Sequence, residues 1–165
     1  MRLRYSQMLL AATAALTLLL GSCKTPTKIA NEYSTYGFET TCLGVDPDGS
    51  QTLRTWGKGK DKAHAIEQAK RNAIETVMFK GVTAGSGDCN KRPLINQPNA
   101  RERYEDYFNA FFRSGGAYNK YVYLDEKRTS RIKSSSSAME SWSVVVTVDR
   151  SALRKRLIDD NVISD

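Results

Sequence analysis

The clearest pattern of apolar and polar positions in this chain is helical, and it lies over residues 61–79. Ala65, Ala69 and Ala73 recur at every fourth position, so they share one side of a helix. Asp61 opens this segment and is a favoured residue for capping a helix N-terminus. The pattern therefore predicts a helix with a stripe of small side chains, which allows its axis to lie close to a sheet.

Two further segments have the spacing of helices. Within residues 101–114 the aromatic side chains recur at intervals of three and four, and Gly115 and Gly116 follow as a stop signal. Near the end of the chain, the polar residues 149–151 precede a short amphipathic segment over residues 152–160. Both segments are predicted to be helices.

The remaining apolar segments are typical of strands, because they are rich in β-branched and aromatic residues or alternate with polar ones. A first hairpin is predicted around the turn sequence DPDG at residues 46–49, and a second around the serines at residues 134–137. The predicted strands cover residues 36–44, 51–57, 119–133 and 140–149.

These elements follow one another in the order β-β-α-α-β-β-α, with a long loop over residues 82–100. Hairpins require antiparallel pairing, and strands that are segregated from helices indicate the α+β class. We therefore expect one α+β domain over residues 36–165. Its predicted architecture is an antiparallel sheet of about four strands with helices packed on one face.

The first residues of the chain have the features of an export signal. Arg2 and Arg4 precede an uncharged apolar stretch over residues 8–20. As a helix this stretch would reach about 20 Å, short of the roughly 30 Å hydrocarbon core of a membrane, which favours a signal peptide. It leads into the sequence LGSC at residues 20–23, which resembles the lipobox of bacterial lipoproteins. An ordinary secretory signal that carries a cysteine near its end is the alternative.

The lipobox resemblance implies that residues 1–22 are removed and that acyl chains such as palmitate are attached to Cys23. The membrane is then a partner of the protein through that lipid, and two or more chains hold it stably. Residues 23–35 are polar and aperiodic, so we expect a lipidated tether. Lys24 stands where an aspartate would resemble the inner-membrane retention signal of enteric bacteria, and no acidic run follows it. These features favour the outer membrane, on its periplasmic side.

The formal net charge is +7, and it falls to +5 when the two arginines of the signal peptide are removed. A basic balance often indicates nucleic acid as a partner, but an envelope address argues against it. Anionic lipid headgroups or wall polymers are then the acidic partners to expect, and solubility alone is the alternative. The cluster of Lys127, Arg128, Arg131 and Lys133 has two similar interpretations: a ligand contact, or a charged sheet edge that resists strand pairing.

Two cysteines remain once Cys23 is assigned to lipid, namely Cys42 and Cys89. In an oxidising compartment we expect them to form a disulfide. A bridge across so long a loop would contribute up to roughly 4 kcal/mol in the chain-entropy model. The alternative is that both thiols are free and distant from each other.

The sequence carries no signature of catalysis. His64 is the only histidine, no nucleophile motif accompanies it, and there is no CxxC pair for a metal. We therefore expect an exposed helical histidine, no cofactor or metal, and a protein that is not an enzyme.

Aromatic residues supply a binding hypothesis instead. Aromatic residues around a groove could bind a lipid, a glycan or a peptide, and core packing is the alternative use of the same rings. The candidate residues are Tyr104, Tyr107, Phe111, Tyr121 and Tyr123, of which the last two are predicted to share one face of a strand.

The sequence WGKG at residues 56–59, followed by Ala65, Ala69 and Ala73, resembles small outer-membrane lipoproteins related to the N-terminal domain of flagellar assembly protein T. The resemblance covers residues 51–80 and, loosely, the final hairpin. It implies a strand before the glycines, a helix on the sheet, and a role in envelope structure or assembly without catalysis. We therefore expect a non-enzymatic, lipid-anchored envelope protein that binds an envelope protein or a cell-wall partner.

Overall fold

The structure is a computed structural model that describes residues 39–132 and 139–164. The predicted signal peptide, Cys23 and the predicted tether lie outside the described residues, as do Lys133 and the serines of the second hairpin turn. The described residues form an α+β fold with a mixed sheet of five strands and four α-helices. Within this part of the chain, no helix combines the length and the apolar character that crossing a membrane requires.

The strands are β1 (Thr41–Val45), β2 (Gln51–Gly59), β3 (Ala84–Gly85), β4 (Val122–Ile132) and β5 (Glu140–Val148). The helices are α1 (Lys62–Glu75), α2 (Ala100–Arg103), α3 (Glu105–Phe112) and α4 (Arg150–Asp159). The helix α1 continues as a π-helical turn over Thr76–Lys80, and a 3₁₀ turn over Ala117–Tyr121 precedes β4.

The strand order across the sheet is β3-β1-β2-β5-β4. The pairs β1–β2, β2–β5 and β4–β5 are antiparallel, whereas β3 pairs parallel with β1. The prediction of four antiparallel strands is wrong in this detail. The strand β3 has two residues, too few to produce a periodic pattern, and it lies within the segment predicted as a loop.

The helix α1 packs closely on β2, as its stripe of alanines predicts. Ala65, Ala69 and Ala73 are completely buried. A Cβ atom added to Gly57 would lie 1.8 Å from the carbonyl oxygen of Ala65, so only glycine allows this approach. The helix begins after Asp61, whose carboxylate accepts a hydrogen bond from the backbone N–H of His64 (2.9 Å).

Two predicted elements are shorter than expected. The second helix is interrupted at Tyr104, whose backbone leaves the helical region (φ −115°, ψ 36°), and it ends at Phe112. The third predicted strand begins only at Val122, because Tyr121 still belongs to the 3₁₀ turn. Tyr121 and Tyr123 therefore do not share a strand face, and the prediction that they do is wrong.

The long loop after α1 is fixed to the rest of the fold. Cys42 and Cys89 are joined by a disulfide with their Cα atoms 5.9 Å apart. The backbone N–H groups of Leu94 and Ile95 donate hydrogen bonds to the carbonyl oxygens of Val77 (3.1 Å) and Met78 (2.9 Å) respectively. Covalent and backbone bonds thus hold this loop against the π-helical turn.

Candidate functional site

The structure brings together three of the five predicted aromatic residues. The rings of Tyr107 and Phe111 on α3 are stacked with their centroids 5.8 Å apart. The ring of Tyr121 also stacks with that of Phe111, and their centroids lie 6.2 Å apart. Phe111 is buried and the two tyrosines are half-buried. The three rings therefore pack on one another and on the neighbouring rings of Phe108 and Phe112, as the core-packing alternative expects.

The other two predicted residues lie apart from this stack. Tyr104 contacts the ring of Phe108 edge-on at 6.4 Å. Tyr123 is 58% exposed, and its hydroxyl donates a hydrogen bond to the carbonyl oxygen of Lys120 (3.1 Å). Its strand neighbour Val122 is buried, so the side chain of Tyr123 lies on the opposite face of the sheet.

A groove of about 500 Å³ opens beside the ring stack, and we call it the aromatic groove. Its apolar lining comes from Tyr107, Ala110, Phe111 and Ala117. Three basic side chains form its rim, and they are Arg113, Lys120 and Arg156.

The turn after α3 forms one end of the aromatic groove. Gly115 has a positive φ of 68°, and the N–H of Gly116 donates a hydrogen bond to the carbonyl oxygen of Arg113 (2.8 Å). A Cβ atom on Gly116 would lie 2.4 Å from the carbonyl oxygen of Phe111. The pair of glycines that predicts the end of the helix therefore also allows the chain to turn tightly against its last carbonyl groups.

A second contact fixes this turn to α1. The hydroxyl of Tyr118 donates a hydrogen bond to the carboxylate of Glu67, and the N–H of Gly115 lies 3.5 Å from the same oxygen. Burial alone would raise the pKa of Glu67. The hydrogen bonds from Tyr118 and Gly115, with the positive charge of Arg71, instead lower that pKa. The carboxylate thus stays charged and anchors the turn.

One wall of the aromatic groove is an internally paired group. The hydroxyl of Tyr107 donates a hydrogen bond to Oδ2 of Asp160 (2.8 Å), and Nε of Arg156 lies 2.6 Å from the same oxygen. Burial, with the hydrogen bond to Asp160, raises the pKa of Tyr107 above its ordinary value. Tyr107 is therefore neutral at neutral pH, and its hydrogen bond to Asp160 fixes the position of its side chain.

The other two basic residues of the rim are free of such pairing. Neither Arg113 nor Lys120 forms an ion pair within residues 39–132 and 139–164. The groove therefore combines an apolar floor with uncompensated positive charge, which suits a ligand that carries both an apolar group and a negative charge.

Helical spacing predicts that Tyr107 and Phe111 lie together, but it does not reveal the basic rim. Lys120 and Arg156 are distant in sequence from α3, and only the folded chain brings them to it. Arg113 carries a weak signal, because it directly follows the aromatic stripe.

The remaining polar candidates fit structural roles. Nδ1 of His64 lies 2.8 Å from the carboxylate of Asp61, at the exposed start of α1. In the basic cluster, Arg128 pairs with Asp125 (2.6 Å) and Arg131 pairs with Glu140 (3.1 Å). Because β4 is an edge strand, these pairs favour the interpretation as a charged edge.

Among the described residues, no group of three or more histidine, cysteine, aspartate or glutamate side chains is placed to hold a metal ion.

No protein-family model, curated protein or solved structure matches this chain. The resemblance to lipoproteins related to flagellar assembly protein T therefore stays a prediction.

Proposed function

We propose that this protein is a non-enzymatic, lipid-anchored envelope protein, held at the periplasmic side of an outer membrane through Cys23. Its folded domain binds a partner protein of the envelope. The anchor is supported by the sequence LGSC at residues 20–23 and by the uncharged apolar stretch before it. The disulfide between Cys42 and Cys89 suits an oxidising compartment, which such an anchor would provide.

The aromatic groove is the observation that carries the binding proposal. Its volume of about 500 Å³ is large enough for one or two apolar side chains of a partner. Arg113 and Lys120 on its rim form no ion pair with a described residue, so they attract carboxylates. Tyrosine and arginine, which both line the groove, are among the residues that most often contribute binding energy in protein interfaces. A segment with a large apolar residue beside acidic ones is therefore the complementary partner.

The arrangement of the rings favours a protein over a glycan in this groove. Sugars bind aromatic residues by lying flat on an exposed ring face. Here the ring of Phe111 is stacked with those of both Tyr107 and Tyr121, at an interplanar angle of 19° in each pair. The ring faces within the stack are thus occupied by the protein itself, and the basic side chains of the rim remain for a charged ligand.

Site-specific crosslinking in living cells tests this proposal. A photo-reactive amino acid is placed at Ala110, which is exposed and lines the groove, in the full-length protein. The matched control carries it at Lys58, which is exposed on the sheet face opposite α1. We expect a protein adduct from position 110 and none from position 58, with the crosslink mapped by mass spectrometry to an acidic segment.

Charge reversal then decides whether the adduct depends on the rim. Lys120→Glu together with Arg113→Glu should abolish the adduct at position 110, whereas Lys58→Glu should leave it unchanged. An adduct that survives the double reversal, or one formed mainly with lipid, would contradict the proposed partner.

A further inference from the structure

A second cleft, of about 410 Å³, lies where the start of α4 meets the loop that follows Cys89. Three arginines line it, namely Arg92, Arg150 and Arg154. The side-chain amides of Asn90, Asn96 and Gln97 add further hydrogen-bond donors. The lining contributed by the described residues contains no acidic side chain. We call this site the arginine cleft.

The loop wall of the arginine cleft is held in place by the fold. The disulfide of Cys89 and the backbone hydrogen bonds of Leu94 and Ile95 attach the loop on both sides of Arg92. The loop also packs tightly on Gly81, where an added Cβ atom would lie 1.9 Å from the carbonyl oxygen of Lys91. Its polar groups are therefore positioned before any ligand arrives, which lowers the entropy lost on binding.

Arg150 is the unusual residue of this cleft. Its Nη2 donates a hydrogen bond to the carbonyl oxygen of Arg92 (2.9 Å), but its Nη1 is buried without a hydrogen-bond partner among the described residues. A buried donor that lacks an acceptor is costly, and more so when the group is charged. Burial, and then the nearby charge of Arg154, lower the pKa of Arg150.

Arg150 and Arg92 also lack charge compensation. Neither guanidinium forms an ion pair within the part of the chain that the structure describes. Like charges gathered in a partly buried cleft repel one another. An anion bound between them would relieve this repulsion.

We propose that the arginine cleft binds a phosphate group, with Arg150 as its central ligand and Arg92 and Arg154 beside it. Planar guanidinium groups bind phosphate through pairs of parallel hydrogen bonds, and the oxygens of the group match several donors at once. Pro93, Leu94 and Ile163 give the cleft an apolar side, which can accommodate the organic part of a phosphate ester. The phosphate comes either from free inorganic phosphate or from a phospholipid headgroup.

Calorimetric titration of the full-length protein in a neutral detergent tests this inference. One series uses inorganic phosphate, and the other uses glycerophosphoglycerol, the water-soluble headgroup of phosphatidylglycerol. We expect saturable binding of at least one of them with one site per chain. Tighter binding of inorganic phosphate identifies the free ion as the ligand, and tighter binding of the ester identifies a lipid headgroup.

Three variants make the result specific to the cleft. Arg150→Gln and Arg92→Gln should each weaken binding at least tenfold, because each removes donors from the anion. Arg92 is exposed, so its replacement keeps the test valid if Arg150→Gln fails to fold. Arg103→Gln, an exposed arginine outside the cleft, should bind as the wild type does. Absence of saturable binding by the wild type, or unchanged affinity in Arg92→Gln, would overturn the proposal.

Discussion

Arg156 and Arg150 both lie on α4 but line different clefts, and they differ in how their charge is compensated. In the aromatic groove, Arg156 forms an ion pair with Asp160, and the same carboxylate accepts a hydrogen bond from the hydroxyl of Tyr107. In the arginine cleft, Arg150 donates to a backbone carbonyl and has one buried nitrogen without a partner among the described residues. The same helix thus carries Arg156, which an internal carboxylate neutralises, and Arg150, which forms no ion pair with a described residue.

This difference separates a structural charge from a binding charge. A guanidinium that is satisfied by an internal carboxylate gains little from a second anion, and its main effect is to fix its neighbours. A guanidinium that no carboxylate neutralises favours an anion that can reach it. The groove therefore depends on Arg113 and Lys120 for attraction, whereas the cleft depends on Arg150 itself.

The largest expected effect comes from removing the disulfide. Of the two clefts, the arginine cleft is the one whose lining begins directly after Cys89. Replacing Cys42 and Cys89 by alanine should lower the free energy of unfolding by about 4 kcal/mol in the chain-entropy model. Phosphate affinity should fall with it, because the loop that carries Arg92 is released. Urea denaturation and calorimetry measure the two effects.

The aromatic groove serves as the internal control for that variant. Its crosslink from position 110 should persist under conditions where the double alanine variant is still folded. If the variant loses the crosslink at position 110 but keeps its phosphate affinity, the disulfide does not support the arginine cleft, and this account of its role is wrong.

A smaller effect is expected from Asp160→Asn, which breaks the internal pairing of the groove. The Asp160 side chain is only 21% exposed and serves both Arg156 and Tyr107, so its loss should cost about 1–3 kcal/mol. Asp159→Asn is the matched control, because Asp159 pairs with Lys155 in an exposed bridge worth about 0.5 kcal/mol. Equal losses in the two variants, measured by urea denaturation, would show that the pairing in the groove has no special role.

The smallest effect concerns Tyr107 and the alkaline range. In the unfolded chain a tyrosine ionises near pH 10, whereas the pKa of folded Tyr107 is raised by burial and by Asp160. The unfolded state therefore loses its proton first, and stability decreases as the pH rises past about 10. Tyr107→Phe should cost about 1 kcal/mol at neutral pH and should make this alkaline decrease less steep. Denaturation midpoints between about pH 8 and pH 10.5 measure it, and an unchanged slope would argue against the raised pKa.

The regular parts of the fold are predictable because their signals are local. Alanines at every fourth position predict α1 and its close approach to the sheet, which the structure confirms. The parallel pairing of β3 is not predictable, since two residues carry no period and their position depends on the distant Cys42. The 3₁₀ turn that ends at Tyr121 is not predictable either, because the sequence pattern taken for a strand over residues 119–133 includes its last residues.

The candidate sites show the same limit more strongly. Tyr107 and Phe111 are one helical turn apart, so their spacing alone predicts that they meet. Arg92 and Arg150 meet only because the loop is fixed against the π-helical turn, and no periodic pattern connects them. Binding sites that are assembled from distant segments therefore require the folded chain.

Metabolic labelling with a clickable fatty acid is the most direct test of the proposed lipid anchor on Cys23. The wild-type protein should take up the label and fractionate with membranes. Cys23→Ser should lose both properties while the domain that follows the tether stays folded, because Cys23 precedes the proposed tether. A wild-type protein without label, or a Cys23→Ser variant that keeps it, would contradict the proposed lipid anchor.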